Sequence, residues 1–335
     1  MTVFSRLSLT AALLSLLVTA APQESHAQAA GARYAVLIGG LGGDDVYTGR
    51  FEGYLNETQA LLIDRAGFSE ENVIVLGEES ISDRPFVDEV STSENIQAVF
   101  DELAGRVTAD DHVFVVLFGH GSFDGEHARL NIPRRDLDDV DYAAMVDGLR
   151  AGRVVFINTT SASGPFAEAL SGPERIVVTA TATGTERDET VFPRMFIESL
   201  REDAADLDRN GGLTIHEAFS YAAQQTARSF EEAGQLATEH PQLDDDGDGT
   251  ASRVDALDAG GDGRLASVTY IRPRTDLASV SAEARPLLRE RETLERSIAD
   301  LKGRKAQMDE DAYYDEMEEI FVQLARLNDR MEAMQ

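Results

Sequence analysis

Two stretches decide the fold class: Val113-Phe114-Val115-Val116-Leu117-Phe118-Gly119-His120-Gly121-Ser122, and Val154-Val155-Phe156-Ile157-Asn158-Thr159-Thr160-Ser161-Ala162-Ser163-Gly164. Each begins as an unbroken apolar run rich in β-branched residues and breaks into a polar loop containing glycine. Short continuous apolar runs of this kind read as strands buried on both faces. In an open α/β sheet, the loops that follow such strands carry ligands and chemistry. His120 and Ser161 therefore stand where a site would be built.

The same grammar extends in both directions from these runs. Tyr34 to Gly39 reads as a first strand, Asn72 to Leu76 as a second, and Arg175 to Ala180 as a later one. Between them lie helical stretches. Leu55, Leu62 and Ala66 form one stripe, stopped by Gly67, and Ile96, Val99, Phe100 and Leu103 form another over 94–107. Further helices are expected around 142–150 and 193–204. Strands alternating with helices imply an α/β fold with a mostly parallel sheet covered on both faces. The glycine-rich Gly39-Gly40-Leu41-Gly42-Gly43-Asp44-Asp45 lacks the Lys-Ser/Thr of a phosphate loop and places two aspartates where phosphate would sit, so it reads as a turn lining a cleft.

Composition narrows the function classes. At 335 residues the chain has room for about two units. A net charge of −31 argues against nucleic acid and anionic membrane surfaces as partners and suits divalent cations. Arg6, the apolar run Leu7 to Ala21 and Ser25-His26-Ala27 have the layout of a secretory leader over 1–27, so the chain is expected to be exported, periplasmic or secreted. No segment is long enough to be a membrane span. Cysteine is absent, which excludes disulfides and any thiol nucleophile.

The two loops, with their order along the chain, resemble the His and Cys loops of the legumain/caspase-like cysteine peptidases: His120-Gly121-Ser122 matches the family's His-Gly-Ser, and Ser161 stands in the cysteine's place before Ser163-Gly164. The resemblance covers about half of the chain and implies a caspase-like α/β domain over 31–205. It implies a His120/Ser161 pair, oxyanion donors at Gly121 and the Ser161 amide, and a substrate pocket drawn from the loop containing Arg187, Asp188 and Glu189. A serine hydroxyl is far less acidic than a thiol and needs a base oriented by a third group. The family's dyad supplies no such carboxylate. The expected outcome is an inactive or weakly active relative that binds a peptide or protein ligand; the alternative is an endopeptidase or acyl-transfer hydrolase using Ser161 with His120. Neither loop fits the G-x-S-x-G elbow of the α/β-hydrolases. His112, His127, His216 and His240 lack comparable context and read as surface residues.

A second chemistry is written in 206–265. Asp206-Leu207-Asp208-Arg209-Asn210-Gly211-Gly212-Leu213-Thr214-Ile215-His216-Glu217 fits the EF-hand-type pattern D-x-[DN]-x-[DN]-G-x5-E without a gap. Calcium is a hard cation that takes six to eight oxygens, and alternate positions of a tight loop point inward. Asp206, Asp208 and Asn210 would supply side-chain oxygens, Gly212 a carbonyl, Thr214 a contact made directly or through water, and Glu217 a bidentate carboxylate. A second loop offers Asp244, Asp246 and Asp248, with Asp255 at the twelfth position, and a third Asp/Gly cluster spans 258–262. Calcium is thus the expected cofactor. From about Ala282 to the end, over 282–335, apolar residues keep four-and-three spacing: Leu294, Ile298, Leu301, then Tyr313, Met317, Ile320, Leu324 and Leu327. This is a helical hairpin or a coiled coil, the latter giving a homodimer through the C-terminal helices, or an assembly protein in which calcium and the coiled coil are the point.

Overall fold

The apolar runs become strands whose alternate residues face two different cores. From Arg33–Gly39 (β1), Ala35 and Leu37 enter one core while Tyr34, Val36 and Ile38 enter the other. His112–Phe118 (β4) divides the same way, Phe114, Val116 and Phe118 against Val113, Val115 and Leu117. This two-faced burial is why these segments read as continuous apolar runs. The computed structural model describes residues 31–257, 261–274 and 285–332; the leader-like 1–27, Asp258 and the first residues of the 282–335 segment lie outside them.

After β1 come α1 (Asp45–Asp64), β2 (Val73–Gly77), β3 (Glu89–Val90), α2 (Ser93–Arg106) and β4. A three-stranded excursion follows, β5 (Gly121–Phe123), β6 (Ala128–Leu130) and β7 (Leu137–Asp138), then α3 (Asp139–Asp147), β8 (Arg153–Asn158), α4 (Pro165–Leu170), β9 (Arg175–Thr179) and α5 (Phe192–Arg201). The remainder comprises β10 (Leu213–Thr214), α6 (Ile215–Ala233), β11 (Gln242–Asp244), β12 (Ser252–Arg253), α7 (Arg264–Val268), β13 (Tyr270–Arg272), α8 (Arg285–Arg304) and α9 (Glu310–Glu332).

The central sheet runs β12-β11-β9-β8-β4-β1-β2-β3. From β9 to β3 every pairing is parallel, and β11 and β12 extend the sheet in antiparallel fashion. Residues from α1, α5 and α6 fill one face, and residues from α2, α3 and α4 the other. The chain winds outward from β1 through β2 to β3, then returns to β4 and winds the opposite way through β8 and β9. The reversal falls between β1 and β4, so the crevice beyond their carboxyl ends is the natural ligand position. His120 lies there.

Local chemistry sets the helix ends. Asp44 accepts hydrogen bonds from the Val46 and Tyr47 amides and so starts α1 at Asp45, well before the apolar stripe by which it was recognised. Thr214 and Glu217 form a reciprocal capping box on α6. Helices α8 and α9 form an antiparallel hairpin with its own small core of Leu301, Tyr313, Met317 and Ile320. Arg304–Glu316 closes the loop end and Arg330–Glu290 the open end. Arg296–Glu174 and Arg274–Glu295 tie α8 to the main body.

Candidate functional site

His120 and Ser161 line one small recess together with Arg50, Phe51, Glu189 and Pro193. The serine hydroxyl sits against Gly121: the Gly121 amide donates to Ser161 Oγ at 3.2 Å, and the Gly121 carbonyl lies within 3.2 Å to accept from it. The imidazole packs edge-on against Tyr47 and Phe51, with ring centroids at 4.5 and 5.1 Å. Burial pushes its pKa below the ordinary value; a hydrogen bond with the Gly42 backbone and the charge of Asp44 oppose that shift. The glycine-rich loop after β1 is therefore the wall on which His120 rests. Glu78, a buried carboxylate that the sequence did not single out, holds this wall: it accepts from the Gly42 amide at 3.2 Å, from Ser80 Oγ at 2.8 Å and from the Thr48 hydroxyl.

Hydroxyl groups fix the Ser161 loop from beneath. Thr159 Oγ1 donates to the Leu117 carbonyl at 2.6 Å, Thr160 Oγ1 to Asn158 Oδ1 at 2.8 Å, and Thr190 Oγ1 to the Thr159 carbonyl at 2.7 Å. Ala162 takes a left-handed conformation with φ of 55°, and its amide donates to the Glu186 carbonyl at 2.7 Å. An alanine in this region costs roughly 1–2 kcal/mol. The surrounding contacts hold the strain immediately after Ser161.

The loop predicted to supply the substrate pocket divides. Glu189 joins the recess, accepting from the Tyr47 hydroxyl at 3.0 Å and pairing with Arg50. Arg187 instead donates to the Phe123 carbonyl at 3.0 Å, bracing β5, and Asp188 is exposed. A neighbouring cavity of about 430 Å³ is lined by Arg50, Tyr54, Glu189, Thr190, Val191 and Arg194. Behind it Glu239, 3 % exposed, accepts from the Val191 and Phe192 amides at 2.6 and 3.3 Å. Burial pushes its carboxyl up to about 7, with the Glu186 charge adding to the shift.

That shift has a defined consequence for stability. The native carboxyl binds its proton more tightly than the unfolded one, so its contribution is full below about pH 4.5 and is lost as pH rises through about 7. Urea denaturation in chelator should show stability falling between pH 5 and 8. Glu239→Gln should remove up to about 3 kcal/mol of that fall; an unchanged slope would show that Glu239 is not its source.

In the 206–217 loop, carboxylate oxygens of Asp206, Asp208 and Glu217 all lie within 4.8 Å of one another. Asp206 accepts from the Asn210 and Gly211 amides at 3.0 and 2.8 Å, Asn210 Nδ2 donates to Asp208 at 2.7 Å, and Asn210 Oδ1 accepts from the Gly212 amide at 2.8 Å. Gly211 is left-handed at φ 85°, as the sharp turn requires. Thr214 donates through both its amide and its hydroxyl to Glu217, at 2.9 and 2.8 Å. The second group differs from the linear pattern. Asp244 and Asp246 converge with Asp262, whereas Asp248 and Asp255 are outside the group and exposed. Asp244 and Asp262 are 0 and 2 % exposed, and burial raises both carboxyls, Asp244 to about 6. Asp245, between two members of this group, instead accepts from the Gly263 and Ala266 amides and anchors α7.

The other histidines are not all surface residues. His112 begins β4 at the far end of the sheet, where burial and nearby arginines push its imidazole down to about 3. His127 pairs with Asp139 at 3.0 Å and His240 with Glu186 at 2.8 Å.

The fold and site together define an α/β protein with a large, mostly parallel central sheet and, among the described residues, two acidic clusters able to hold a metal ion. No protein-family model matches the chain, and no curated protein matches it. Among the described residues no helix is long and apolar enough to cross a membrane.

Proposed function

We propose that the chain is an exported calcium-binding protein whose α/β domain is a legumain/caspase-like peptidase relative that binds peptide or protein without turning it over. The observation that carries this is the environment of His120. Its imidazole meets the Gly42 backbone and two aromatic rings, while Glu189 is committed to Arg50 and Tyr47, and Asp44 to the start of α1. Among the described residues no carboxylate hydrogen-bonds the imidazole, and Asp44 acts on it through its charge alone, so the serine's base has no acidic group to orient it. The strand reversal at β1/β4, the strained Ala162 beside Ser161 and the 430 Å³ cavity support a cleft that is kept for binding.

Calcium fits the donor sets. Asp206, Asp208, Asn210, the Gly212 carbonyl, Thr214 and Glu217 would hold one ion, and Asp244, Asp246 and Asp262 another. The ion would supply the positive charge that three adjacent carboxylates lack.

The test is turnover of a fluorogenic peptide library by the full chain in calcium. The parent should match Ser161→Ala. Ser161→Cys should acquire activity, and His120→Ala in that background should lower it by about 100-fold or more. Turnover by the parent that Ser161→Ala abolishes would make the protein a serine hydrolase instead. A folded Ser161→Cys that cuts nothing would remove the kinship with peptidases.

A further inference from the structure

The end of the sheet opposite to His120 holds a larger cavity. It has a volume of about 590 Å³ and lies at the amino ends of β1, β4, β8 and β9, roofed by β13 and α8. That volume is within the range of small-molecule sites, roughly 300–1,000 Å³. In a chain with twice as many acidic as basic residues, four arginines line it: Arg33, Arg153, Arg291 and Arg296.

Their roles differ. Arg33 reaches the Ile271, Ala66 and Gly67 carbonyls and stacks on Phe68, so it is a structural brace. Arg153, 1 % exposed, points Nε and Nη2 at Glu174 and Nη1 at Thr269. Of the three lining carboxylates Asp110 is exposed to solvent, Glu174 serves Arg153 at 2.7 Å and Arg296 at 3.7 Å, and Glu295 serves Arg274 and Arg291. Arg291 is the exception. Its side chain is 21 % exposed, its nearest carboxylate oxygen is 3.8 Å away, and among the described residues its guanidinium makes no hydrogen bond. Burial, then the neighbouring Arg274, lower its pKa, and the charge of Glu295 offsets part of that shift. His112 on the same wall is held neutral chiefly by burial, with Arg153, Arg33 and Arg296 adding to the shift.

A bare inorganic ion would leave most of the space empty, since one water occupies about 30 Å³. Ala109, Ala151, Val268, Pro273 and the Tyr270 ring supply apolar wall for the rest of a molecule. We propose that this cavity binds a small organic oxyanion, a carboxylate or a phosphate monoester, with Arg291 as the direct donor to the anionic group. A guanidinium suits both through its planar, two-pronged donor geometry. The cavity shares no residue with the cleft or with either acidic cluster, but its Tyr270 wall pairs with Thr214 and lies against Gly212 of the 206–217 loop, so its test holds calcium constant and reads binding at the cavity rather than peptide turnover.

Calorimetry and thermal shift on the full chain in calcium, with benzoate, adenosine monophosphate and inorganic phosphate kept below the solubility of its calcium salt, all at constant ionic strength, test this. At least one organic probe should bind saturably, benzoate favouring a carboxylate ligand and the nucleotide a phosphate monoester. Arg291→Gln should weaken it by about tenfold or more. Ala109→Phe, on the exposed rim, should block it by filling the mouth while leaving the melting temperature without probe unchanged. The proposal is overturned if no organic probe exceeds sodium chloride of equal ionic strength, if inorganic phosphate alone binds, or if both variants bind as the parent does.

Discussion

Glu217→Ala is expected to destabilise the protein twice, once without calcium and again with it. The Glu217 carboxylate is 6 % exposed and accepts from the Leu207, Asp208 and Thr214 amides at 3.0, 3.3 and 2.9 Å and from Thr214 Oγ1 at 2.8 Å. Truncation leaves these donors without their acceptor in a half-closed loop. Each orphaned buried group costs about 1–3 kcal/mol, but water entering the vacated space recovers part of it, so about 2 kcal/mol in total is expected in chelator. The capping bond from the Glu217 amide to Thr214 Oγ1 at 3.2 Å survives the substitution, which keeps α6 intact. With calcium the difference widens. An ion that binds only the folded state adds about 4 kcal/mol at a thousandfold excess over its Kd, and the variant forfeits that increment at this loop. The second cluster would still respond, so Asp244→Asn and the double variant separate the two contributions, which should add if the loops are independent. Urea denaturation of the full chain in calcium and in chelator measures all four. Equal calcium increments in the parent and in Glu217→Ala would show that this loop holds no ion.

What the sequence made legible follows from how locally each feature is encoded. The core strands were readable because residues 113–118 and 154–157 must be apolar on both faces, and no neighbour is needed to see that. The first calcium-type loop was readable because its ligands lie within twelve consecutive positions. Four features were not. The first turns of α1 continue the stripe through Tyr47 and Phe51, but Gly49 and Gly53 and the polar Asp45, Thr48, Arg50 and Glu52 dilute it, and the Asp44 cap marks where the helix begins. Asp262 reaches Asp244 and Asp246 through tertiary folding: Gly261, at φ 118°, lies so close to Asp246 that a Cβ there would fall 2.4 Å from its carboxylate. A linear pattern pointed to Asp255 instead. The arginine-lined cavity draws on the starts of four strands and on α8, and nothing in any one of those segments marks it. Glu78 likewise sits outside the glycine-rich loop it holds, visible only once Gly42 and His120 are neighbours in space.

Gly121→Ala should part the two loops and cost more than any substitution of a glycine in open space. A Cβ on Gly121 would lie 1.9 Å from the Ser161 carbonyl oxygen and 2.8 Å from Thr160 Oγ1. The first of these is backbone, and it has little freedom to withdraw because the next residue, Ala162, is pinned to the Glu186 carbonyl. Relief must come from moving β5 or the Ser161 loop as a unit, an overpacking cost of about 1–3 kcal/mol, with the higher end expected here. The Gly121 amide and carbonyl would leave Ser161 Oγ, and any turnover acquired by Ser161→Cys should vanish in the double variant while the calcium response of the 206–217 loop stays intact. Two other glycines set the scale. Gly125 has open space around it but a φ of 109°, so alanine there is strained by backbone alone, at about 1 kcal/mol. Gly105 lies inside α2 with nothing within 4 Å, and alanine there should stabilise by about 0.5–1 kcal/mol through helix propensity. Urea denaturation of the three variants should therefore give a large loss, a small loss and a gain. A Gly121→Ala protein as stable as the parent, with the acquired activity retained, would mean that the His120 and Ser161 loops do not meet at this glycine, and the cleft on which the functional proposal rests would not exist in this form.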